Sequence, residues 1–298
     1  MFENYRDIIP DFNAFQESLK NPLPVHLRVN RLKIEPPALM RDLRRRGIHV
    51  CGVKELNDEV LVAHDLKSPG RLIEYFLGYL HPQALTSCLV SLLLPVQSGS
   101  FVLDMCASPG GKTAHIAQRM QNTGLVVANE LYTRRHIPLA HTLARLGVVN
   151  TIITGYQAQE FPLRQRFDFI LADVPCSGEG RFRQQSEFSH YEERDSRAGL
   201  YELQRRVILR AFDLLGDNAE MVYATCTYNP EENESVTNFL LGKRDADLLP
   251  VHLGFPGEPG LLSWKGEIYD RRMERAIRFY PHRLDSVGFF MARIGKRS

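Results

Sequence analysis

The chain has 298 residues, 44% of them hydrophobic and 24% charged, which is typical of a globular protein and excludes a disordered or fibrous one. Its net charge of +2 is too small to indicate nucleic-acid binding by itself, and its longest apolar run, near residues 88–96, is far shorter than the roughly 20 residues that cross a membrane. Five cysteines without a CxxC pair or metal-ligand spacing, and an N-terminus without a signal-peptide core, favour a cytoplasmic protein that holds no metal.

The basic residues are concentrated in two stretches. Residues 26–49 contain seven basic and two acidic side chains, and residues 271–297 contain eight basic and two acidic ones. Solvated helix faces often have this composition. The alternative, which we adopt as a prediction, is that both stretches line the path of an RNA substrate.

The first 77 residues predict a small α+β domain that serves as an accessory RNA-binding module. Residues 1–20 are predicted to be helical, and residues 27–33 (LRVNRLK) alternate apolar and basic side chains as a strand does. The segment at residues 38–48 is predicted to form an amphipathic helix that is ended by Gly47. A short strand pair is predicted near residues 60–63. We place the domain boundary between residues 77 and 78.

Residues 78–298 alternate strands with helices, which predicts an α/β domain with a doubly wound, mostly parallel sheet. The predicted strands are residues 101–106, 125–130, 151–155, 167–174, 219–226 and 286–294. Helices are predicted after residue 110, at residues 136–147 and at residues 197–215. Ligands of such sheets bind outside the carboxyl ends of the strands, and the unusual turns of this chain all follow strands, so we expect one cleft.

The turn after the first of these strands is the candidate cofactor site. It reads DMCASPGGKT from residue 104 to residue 113, and Gly110 and Gly111 allow close backbone approach to a ligand at a helix N-terminus. A phosphate-binding P-loop is excluded because Cys106 stands where that motif needs a glycine, and the GxGxxG pattern is absent. Glu130 follows the second strand, where a carboxylate can accept both ribose hydroxyls. Together, the glycine turn and Glu130 favour binding of a nucleoside over a purely structural role for these residues.

Two cysteines follow later strands in polar, glycine- and proline-rich turns. Cys176 lies in DVPCSGEG (173–180), and Cys226 lies in TCTYNPEENE (225–234). A cysteine is ordinarily a small buried hydrophobic residue, but two of them at one sheet edge favour a catalytic role.

A thiolate in this cleft suits methylation of cytosine at C5. Addition of the thiolate to C6 makes C5 nucleophilic enough to take a methyl group, after which C5 loses its proton and the thiol is eliminated. Asp173 is the candidate for protonating or hydrogen bonding N3. A paired base hides C6, so the target must be single-stranded or flipped out.

Several motifs resemble those of the RNA 5-methylcytosine methyltransferases of the Nol1/Nop2/Sun family, which includes bacterial ribosomal-RNA enzymes. They are PLPVHLRVNRLK (22–33), DMCASPGGKT (104–113), NELYTRR (129–135), DVPCSGEG (173–180), TCTYNPEENE (225–234) and RFYPHRLDSVGFFMARI (278–294). The resemblance implies a Rossmann-like class I methyltransferase sheet with S-adenosyl-L-methionine as cofactor. It also implies an RNA substrate, for which we favour rRNA over tRNA, and we expect a monomer.

The resemblance also implies residue roles. Cys226 would be the nucleophile and Cys176 would assist product release, with Asp173 completing the catalytic set. The implied cofactor-binding residues are Cys106, Ala107, Ser108, Pro109, Gly110, Gly111, Lys112, Glu130, Arg135, Gln157 and Asp173. Gln157 departs from the family pattern, which has an aspartate toward the adenine amino group. Its amide oxygen could accept from that group, but without the negative charge.

Two other functions remain open. A DNA cytosine-C5 methyltransferase would use the Pro-Cys cysteine, Cys176, and would leave Cys226 without a role. A catalytically idle RNA-binding or ribosome-assembly factor would need neither thiol.

Overall fold

The computed structural model describes residues 2–184 and 197–297, which contain two main β-sheets and the helices packed on them. Within this part of the chain, no helix has the length and apolar composition that a membrane crossing requires. Nor does this part contain a group of three His, Cys, Asp or Glu side chains able to hold a metal ion.

The N-terminal segment packs against the larger sheet rather than joining the smaller one. A 3₁₀ turn at Glu3–Tyr5 leads to helix α1 (Phe12–Ser18), whose N-cap Asp11 accepts a hydrogen bond from the Ala14 N–H. The Phe15 ring meets the Tyr228 ring edge-on at 5.3 Å between centroids. Residues 1–20 are therefore only partly helical, and they cover the loop that follows Cys226.

The small sheet is antiparallel and has the strand order β2-β3-β1-β4. Its elements are β1 (Val25–Val29), α2 (Pro36–Arg45), β2 (Cys51–Gly52), β3 (Val60–Ala63), α3 (Ile73–Phe76) and β4 (Leu80–Pro82). Leu27 and Val29 pack in one cluster with Leu39 and Leu43 of α2. Because side chains alternate along a strand, Arg28 points to the opposite face. The sheet includes β4 and so runs past the boundary predicted at residue 77; the division into two domains stays a prediction.

The large sheet has the order β11-β14-β15-β9-β8-β5-β6-β7, with β10 also paired to β15. Strands β5 (Phe101–Asp104), β6 (Leu125–Asn129), β7 (Thr151–Thr154), β8 (Phe167–Asp173) and β9 (Leu215–Thr225) are parallel. Strands β10 (Ala246–Leu249), β11 (Glu258–Pro259), β14 (Ile277–Phe279) and β15 (Phe289–Lys296) pair antiparallel, and β12 (Ser263–Trp264) and β13 (Glu267–Ile268) form a separate ribbon. The predicted closing strand is thus confirmed as β15, although it runs against the parallel set.

Helices cover both faces of this sheet. They are α4 (Leu85–Leu93), α5 (Gly111–Arg119), α6 (Thr133–Leu146), α7 (Arg197–Asp213) and α8 (Glu234–Lys243). One core cluster joins α4 and α5 to Val102 and Val222, and another joins α7 and α8 to the alternate residues Leu103 and Met221. Helix α6 ends at Gly147, as predicted, because the φ of +76° there suits glycine.

Six basic side chains of the C-terminal stretch form ion pairs within the protein, and its role in lining an RNA path stays a prediction. They are Arg272, Arg275, Arg278, Arg283, Arg293 and Lys296. Arg272 pairs with the nearby Asp270 as well as with Asp247, and the other five pair with carboxylates of other segments. Counting charges along the sequence does not reveal such partners.

The ion pair between Arg278 and Glu234 is buried, with 2.6 Å between Arg278 Nε and Glu234 Oε1. Arg278 also donates to the carbonyl of Tyr228, in the loop after Cys226, at 3.0 Å. A buried carboxylate that loses its cation is left uncompensated. The geometry of this loop therefore depends on a buried ion pair as well as on packing.

We predict that Arg278→Leu lowers the free energy of unfolding by about 3–5 kcal/mol, because it leaves Glu234 buried and unpaired. Urea titration followed by circular dichroism measures the change. The control is Lys265→Ala, which removes an exposed pair with Glu231 and should cost less than about 1 kcal/mol. Equal losses in the two variants would contradict the prediction.

Candidate active site

A cavity of about 480 Å³ lies at the carboxyl ends of β5, β8 and β9. The strand order reverses between β5 and β8, and this is where ligands of open α/β sheets bind. The predicted site residues that line the cavity are Cys106, Ala107, Ser108, Pro109, Gly111, Lys112, Arg135, Asp173, Cys176 and Cys226. Gly110, Glu130 and Gln157 are not among the lining residues. The tertiary structure thus brings most of the predicted set together.

The glycine turn requires its glycines for different reasons. Gly110 is the N-cap of helix α5 and has a φ of +101°, a backbone conformation that residues other than glycine rarely adopt. Gly111 has an ordinary backbone, but a Cβ there would lie 2.9 Å from Nε2 of His81. The side chain of Arg28 reaches the same residue and donates to the Gly111 carbonyl at 3.4 Å. The small sheet therefore supports the turn directly.

Asp104, at the end of β5, has one unsatisfied oxygen. Its Oδ2 accepts from the Thr113 hydroxyl at 2.7 Å, whereas Oδ1 is buried without a partner among the described residues. Burial, reinforced by the charge of Asp173, raises the pKa of Asp104 to about 7. Asp104 also lines the cavity. We did not assign it a role from the sequence, where an acidic residue at a strand end gives no sign of being unpaired.

Glu130 lies beside the glycine turn, one layer behind the cavity wall. Its carboxylate accepts from the Tyr132 N–H at 3.0 Å and pairs with Arg135 at 3.2 Å. Arg135 in turn donates to the Ser108 carbonyl at 3.0 Å. Arg135 therefore connects Glu130 to the turn. Gln157 is exposed, and its Oε1 accepts from Gln159 at 2.7 Å, so its adenine role stays a prediction.

Lys112 and Asp173 form an ion pair on the cavity wall, with 2.7 Å between Nζ and Oδ2. Burial alone would lower the pKa of Lys112, but its attraction to Asp173 outweighs burial and raises that pKa. The ammonium also lies 5.5 Å from the centre of the Phe289 ring. Lys112 is therefore a cation at neutral pH, with N–H groups left to donate into the cavity.

The two cysteine turns meet at the same wall. The sulfur atoms of Cys176 and Cys226 lie 3.2 Å apart, and the Cys226 N–H donates to Cys176 Sγ at 3.3 Å. The turns are also joined through the Ser177 and Thr227 hydroxyls, which are 2.7 Å apart. Both thiols can therefore face one substrate base.

The surroundings of the two thiols differ. A hydrogen bond from the Cys176 thiol, helped by the positive charges of Arg181 and Lys112, lowers the pKa of Cys226 against burial and the charge of Asp173. The same hydrogen bond, together with burial and the negative charge of Glu232, raises the pKa of Cys176. Cys226 is thus the thiol that ionises more readily.

Comparison with known proteins agrees with this geometry. Residues 91–295 match the family described as 16S rRNA methyltransferase RsmB/F. The chain belongs to this family. The resemblance drawn from the motifs is therefore confirmed.

Relatives within the RsmB/F group act on different RNAs. The chain is 36% identical to the 26S rRNA (cytosine-C(5))-methyltransferase nsun-1 of Caenorhabditis elegans, over 99% of this chain and 46% of that protein. It thus spans less than half of the nematode protein's length. It is also 36% identical to the tRNA (cytosine(49)-C(5))-methyltransferase of Pyrococcus abyssi, over 97% of this chain and 93% of that protein.

A solved structure confirms the fold class. The crystal structure of a methyltransferase homologue protein from Pyrococcus horikoshii matches with a TM-score of 0.83 at 31% identity. It covers 95% of this chain and 90% of that one. The Rossmann-like methyltransferase sheet predicted from strand–helix alternation is therefore present.

Sequence reasoning missed the residues that hold the Cys176 turn. Gln204, buried on α7, donates through Nε2 to the Pro175 carbonyl at 2.8 Å and to Glu232 Oε2 at 3.0 Å. Glu232 Oε2 also accepts from the Ser177 N–H at 2.8 Å. Both neighbours of Cys176 are thus held by one buried pair. Glu232 lies in a recognised motif, but Gln204 occurs within an ordinary amphipathic helix, which gave no signal.

The wall opposite the sheet also escaped prediction, because it comes from the small sheet. It consists of His81 and Pro82 of β4 and of Gln83 and Ala84, which connect β4 to α4. These residues have no catalytic motif and lie at the predicted domain junction. Only the pairing of β4 with β1 shows that they face the cavity.

We predict that iodoacetamide at pH 7 alkylates Cys226 faster than Cys176 or Cys88, as measured by peptide mass spectrometry. Cys88 is a negative reference, since burial raises its pKa to about 12. Cys176→Ala should slow the reaction of Cys226, because the lost S–H donor lets the pKa of Cys226 rise. Cys51→Ala, at an exposed site, should leave that rate unchanged. Equal rates at Cys176 and Cys226 would refute the assignment of the reactive thiol.

Proposed function

We propose that the chain transfers a methyl group from S-adenosyl-L-methionine to C5 of a cytosine in RNA, with Cys226 forming a covalent bond to C6. The observation that carries this proposal is the contact of Cys176 and Cys226, 3.2 Å apart in a cavity whose other wall is the glycine turn. The family and its cytosine-C5 relatives support the same reaction.

The residues present fit the proposed cofactor. Asp104, which has one buried oxygen without a hydrogen-bond partner among the described residues, lines the cavity, and a cationic ligand nearby would compensate its charge. Gly111 also lines the cavity, and His81 leaves no room for a side chain there. Glu130, held by Arg135 next to the turn, would accept hydrogen bonds from the ribose hydroxyls. When bound, S-adenosyl-L-methionine supplies an electrophilic methyl group on its sulfonium.

Cys226 would begin the reaction as a thiolate. Its Sγ would bond to C6, the electron pair of the C5–C6 double bond would move to C5, and C5 would take the methyl group as the bond from that group to the sulfonium sulfur breaks. Solvent would then accept the C5 proton, the C5–H electron pair would restore the double bond, and Cys226 would leave C6 as a thiolate. Cys176, which keeps its proton, would donate a hydrogen bond to the departing Cys226 sulfur. This gives Cys176 a role in product release.

Asp173 and Lys112 would act together on the polar edge of the base. The Asp173 carboxylate accepts from an amino group such as N4 of cytosine, and Lys112 has N–H donors for N3. Hydrogen bonding at N3 makes C6 more electrophilic and so assists the attack. Lys112 thus takes the contact with N3 that the sequence suggested for Asp173, and Asp173 would hold N4 and the ammonium of Lys112.

The small sheet is the proposed RNA-binding module. Exposed arginines at residues 41, 44 and 45 lie one turn apart on α2 and can contact phosphates, whereas Arg28 and Lys33 bind atoms of the protein itself. In the first basic stretch, some side chains would thus contact RNA, whereas others bind atoms of the protein. Relatives at 36% identity act on rRNA and on tRNA, and our preference for rRNA stays a prediction.

The DNA-type arrangement is less favoured by the site. It would need Cys176 as the nucleophile, yet Glu232 lies near that thiol and opposes its ionisation. An idle RNA-binding factor would have no use for two facing thiols beside an ion pair. Our proposal differs from both alternatives in the cysteine that forms a covalent bond to the base, which is Cys226 here, Cys176 in the DNA-type arrangement and neither in an idle factor.

We predict that Glu130→Ala weakens binding of S-adenosyl-L-methionine by roughly 1.5–3 kcal/mol, because a carboxylate that accepts two hydroxyls is lost. Isothermal calorimetry measures the affinity. Glu17→Ala, which removes an exposed carboxylate of α1, is the control and should bind as the wild type does. Unchanged affinity in Glu130→Ala would remove this residue from the cofactor site.

The two cysteines should give opposite phenotypes with total RNA and methyl-labelled S-adenosyl-L-methionine. Cys226→Ala should abolish methyl transfer and any covalent adduct. Cys176→Ala should accumulate a methylated RNA–protein adduct that survives a denaturing gel, because release is slowed more than attack. Bisulfite sequencing of the RNA identifies the modified cytosine and whether it lies in rRNA or tRNA.

The reverse pattern, an adduct only in Cys226→Ala, would support the DNA-type assignment of the thiols. Full activity in both variants would rule out the covalent mechanism and point to a nitrogen target, which needs no thiol. No methyl transfer to RNA by the wild type would support an idle binding factor.

A further inference from the structure

A second cavity, of about 470 Å³, adjoins the active-site cavity. The two share a wall made of three consecutive residues, Pro82, Gln83 and Ala84. A strand that places one base in the active site would therefore bring a neighbouring nucleotide to the other side of this wall. Continuity of this kind suits an extended single strand better than a duplex.

The second cavity is lined mostly by apolar residues, several of them prolines. Pro22, Leu23 and Pro24 line it from the segment before β1, and Pro69 lines it from the segment after β3. Arg183 holds the first wall in place by donating to the carbonyls of Asn21 and Pro22, both at 3.0 Å. Such walls pack well against the faces of a planar ring.

One polar side chain in this cavity is buried without a partner. His26 is 5% exposed, and its buried Nδ1 has no hydrogen-bond partner among the described residues. Burial lowers the pKa of His26 to about 4, so the ring is neutral at pH 7 and offers one donor and one acceptor. A buried polar atom left without a partner costs stability, and a ligand that bonds to it recovers that cost.

The direction of His26 follows from strand β1. Its pairing with β3 places His26 and Arg28 on one face and Leu27 on the other. Arg28 reaches the cofactor turn, and His26 lies two residues earlier, toward the second cavity. The face that supports the glycine turn thus continues into the second cavity.

We propose that this second cavity binds the nucleobase next to the target cytosine and that His26 recognises its edge. The inference rests on the proposed function, since it takes the active-site occupant to be a cytosine of RNA. It goes beyond that function by assigning a site for sequence context. A flat ring with donors and acceptors on its edge matches the apolar walls and the single neutral imidazole.

The test uses fluorescein-labelled RNA of nine nucleotides with a central cytidine and no base pairing, without cofactor, by fluorescence anisotropy. Replacing one nucleotide next to the cytidine, on the 5′ or the 3′ side, with an abasic ribose should weaken binding to the wild type about tenfold. His26→Ala should bind the intact RNA as weakly as the wild type binds the abasic one, with no further loss on abasic RNA.

Leu23→Trp fills the cavity without removing the imidazole and should weaken binding of the intact RNA to the same extent. This second variant keeps the test valid if His26→Ala does not fold. His252→Ala is the matched control, because it alters a histidine in another proline-containing cavity, of about 310 Å³. It should behave as the wild type does.

The proposal is overturned if neither abasic position weakens wild-type binding, if the wild type binds no probe, or if His26→Ala and Leu23→Trp keep the abasic penalty. RNA binding that depends on His26 in a protein that transfers no methyl group would retain the base site and refute the proposed function instead. The two failures are therefore distinct.

Discussion

Parallel pairing of β8 between β5 and β9 is the constraint on which the site depends. The register places Asp104 opposite Leu171 and Asp173 opposite Ala224, so three strands end at one edge. The segments that follow them contain Lys112, in the first turn of α5, and the two cysteines. A slip of one residue would turn every side chain to the other face and separate these groups. Hydrophobic residues on both faces of the sheet, such as Val222 and Met221, oppose such a slip.

Within that frame, electrostatics makes two similar thiols unequal. The cations Lys112 and Arg181 favour ionisation of Cys226, whereas Glu232 opposes ionisation of Cys176. The largest cause is the hydrogen bond between the two thiols, which lowers the pKa of Cys226 and raises the pKa of Cys176. The charges of Lys112, Arg181 and Glu232 act in the same direction.

The small sheet lines the candidate active site and is also a candidate RNA-binding surface. Arg28 donates to Gln118 of α5 at 2.8 Å, and Asn30 donates to the Leu146 carbonyl at the end of α6 at 2.7 Å. Polar side chains of β1 and of the residue after it thus link the small sheet to helices of the large one. Alternation of apolar and basic residues correctly indicated a strand, but not what the basic face would meet.

The sequence by itself determined the alternation of strands and helices, the helix stop at Gly147 and the position of each special turn at a strand end. These features depend on neighbours along the chain, and so local patterns reveal them. The tertiary structure decided the antiparallel direction of β15, the wall from His81 to Ala84, the Gln204–Glu232 contact and the internal pairing of the C-terminal arginines. Each joins residues far apart in the chain, and no local pattern specifies which distant groups the folded sheet brings together.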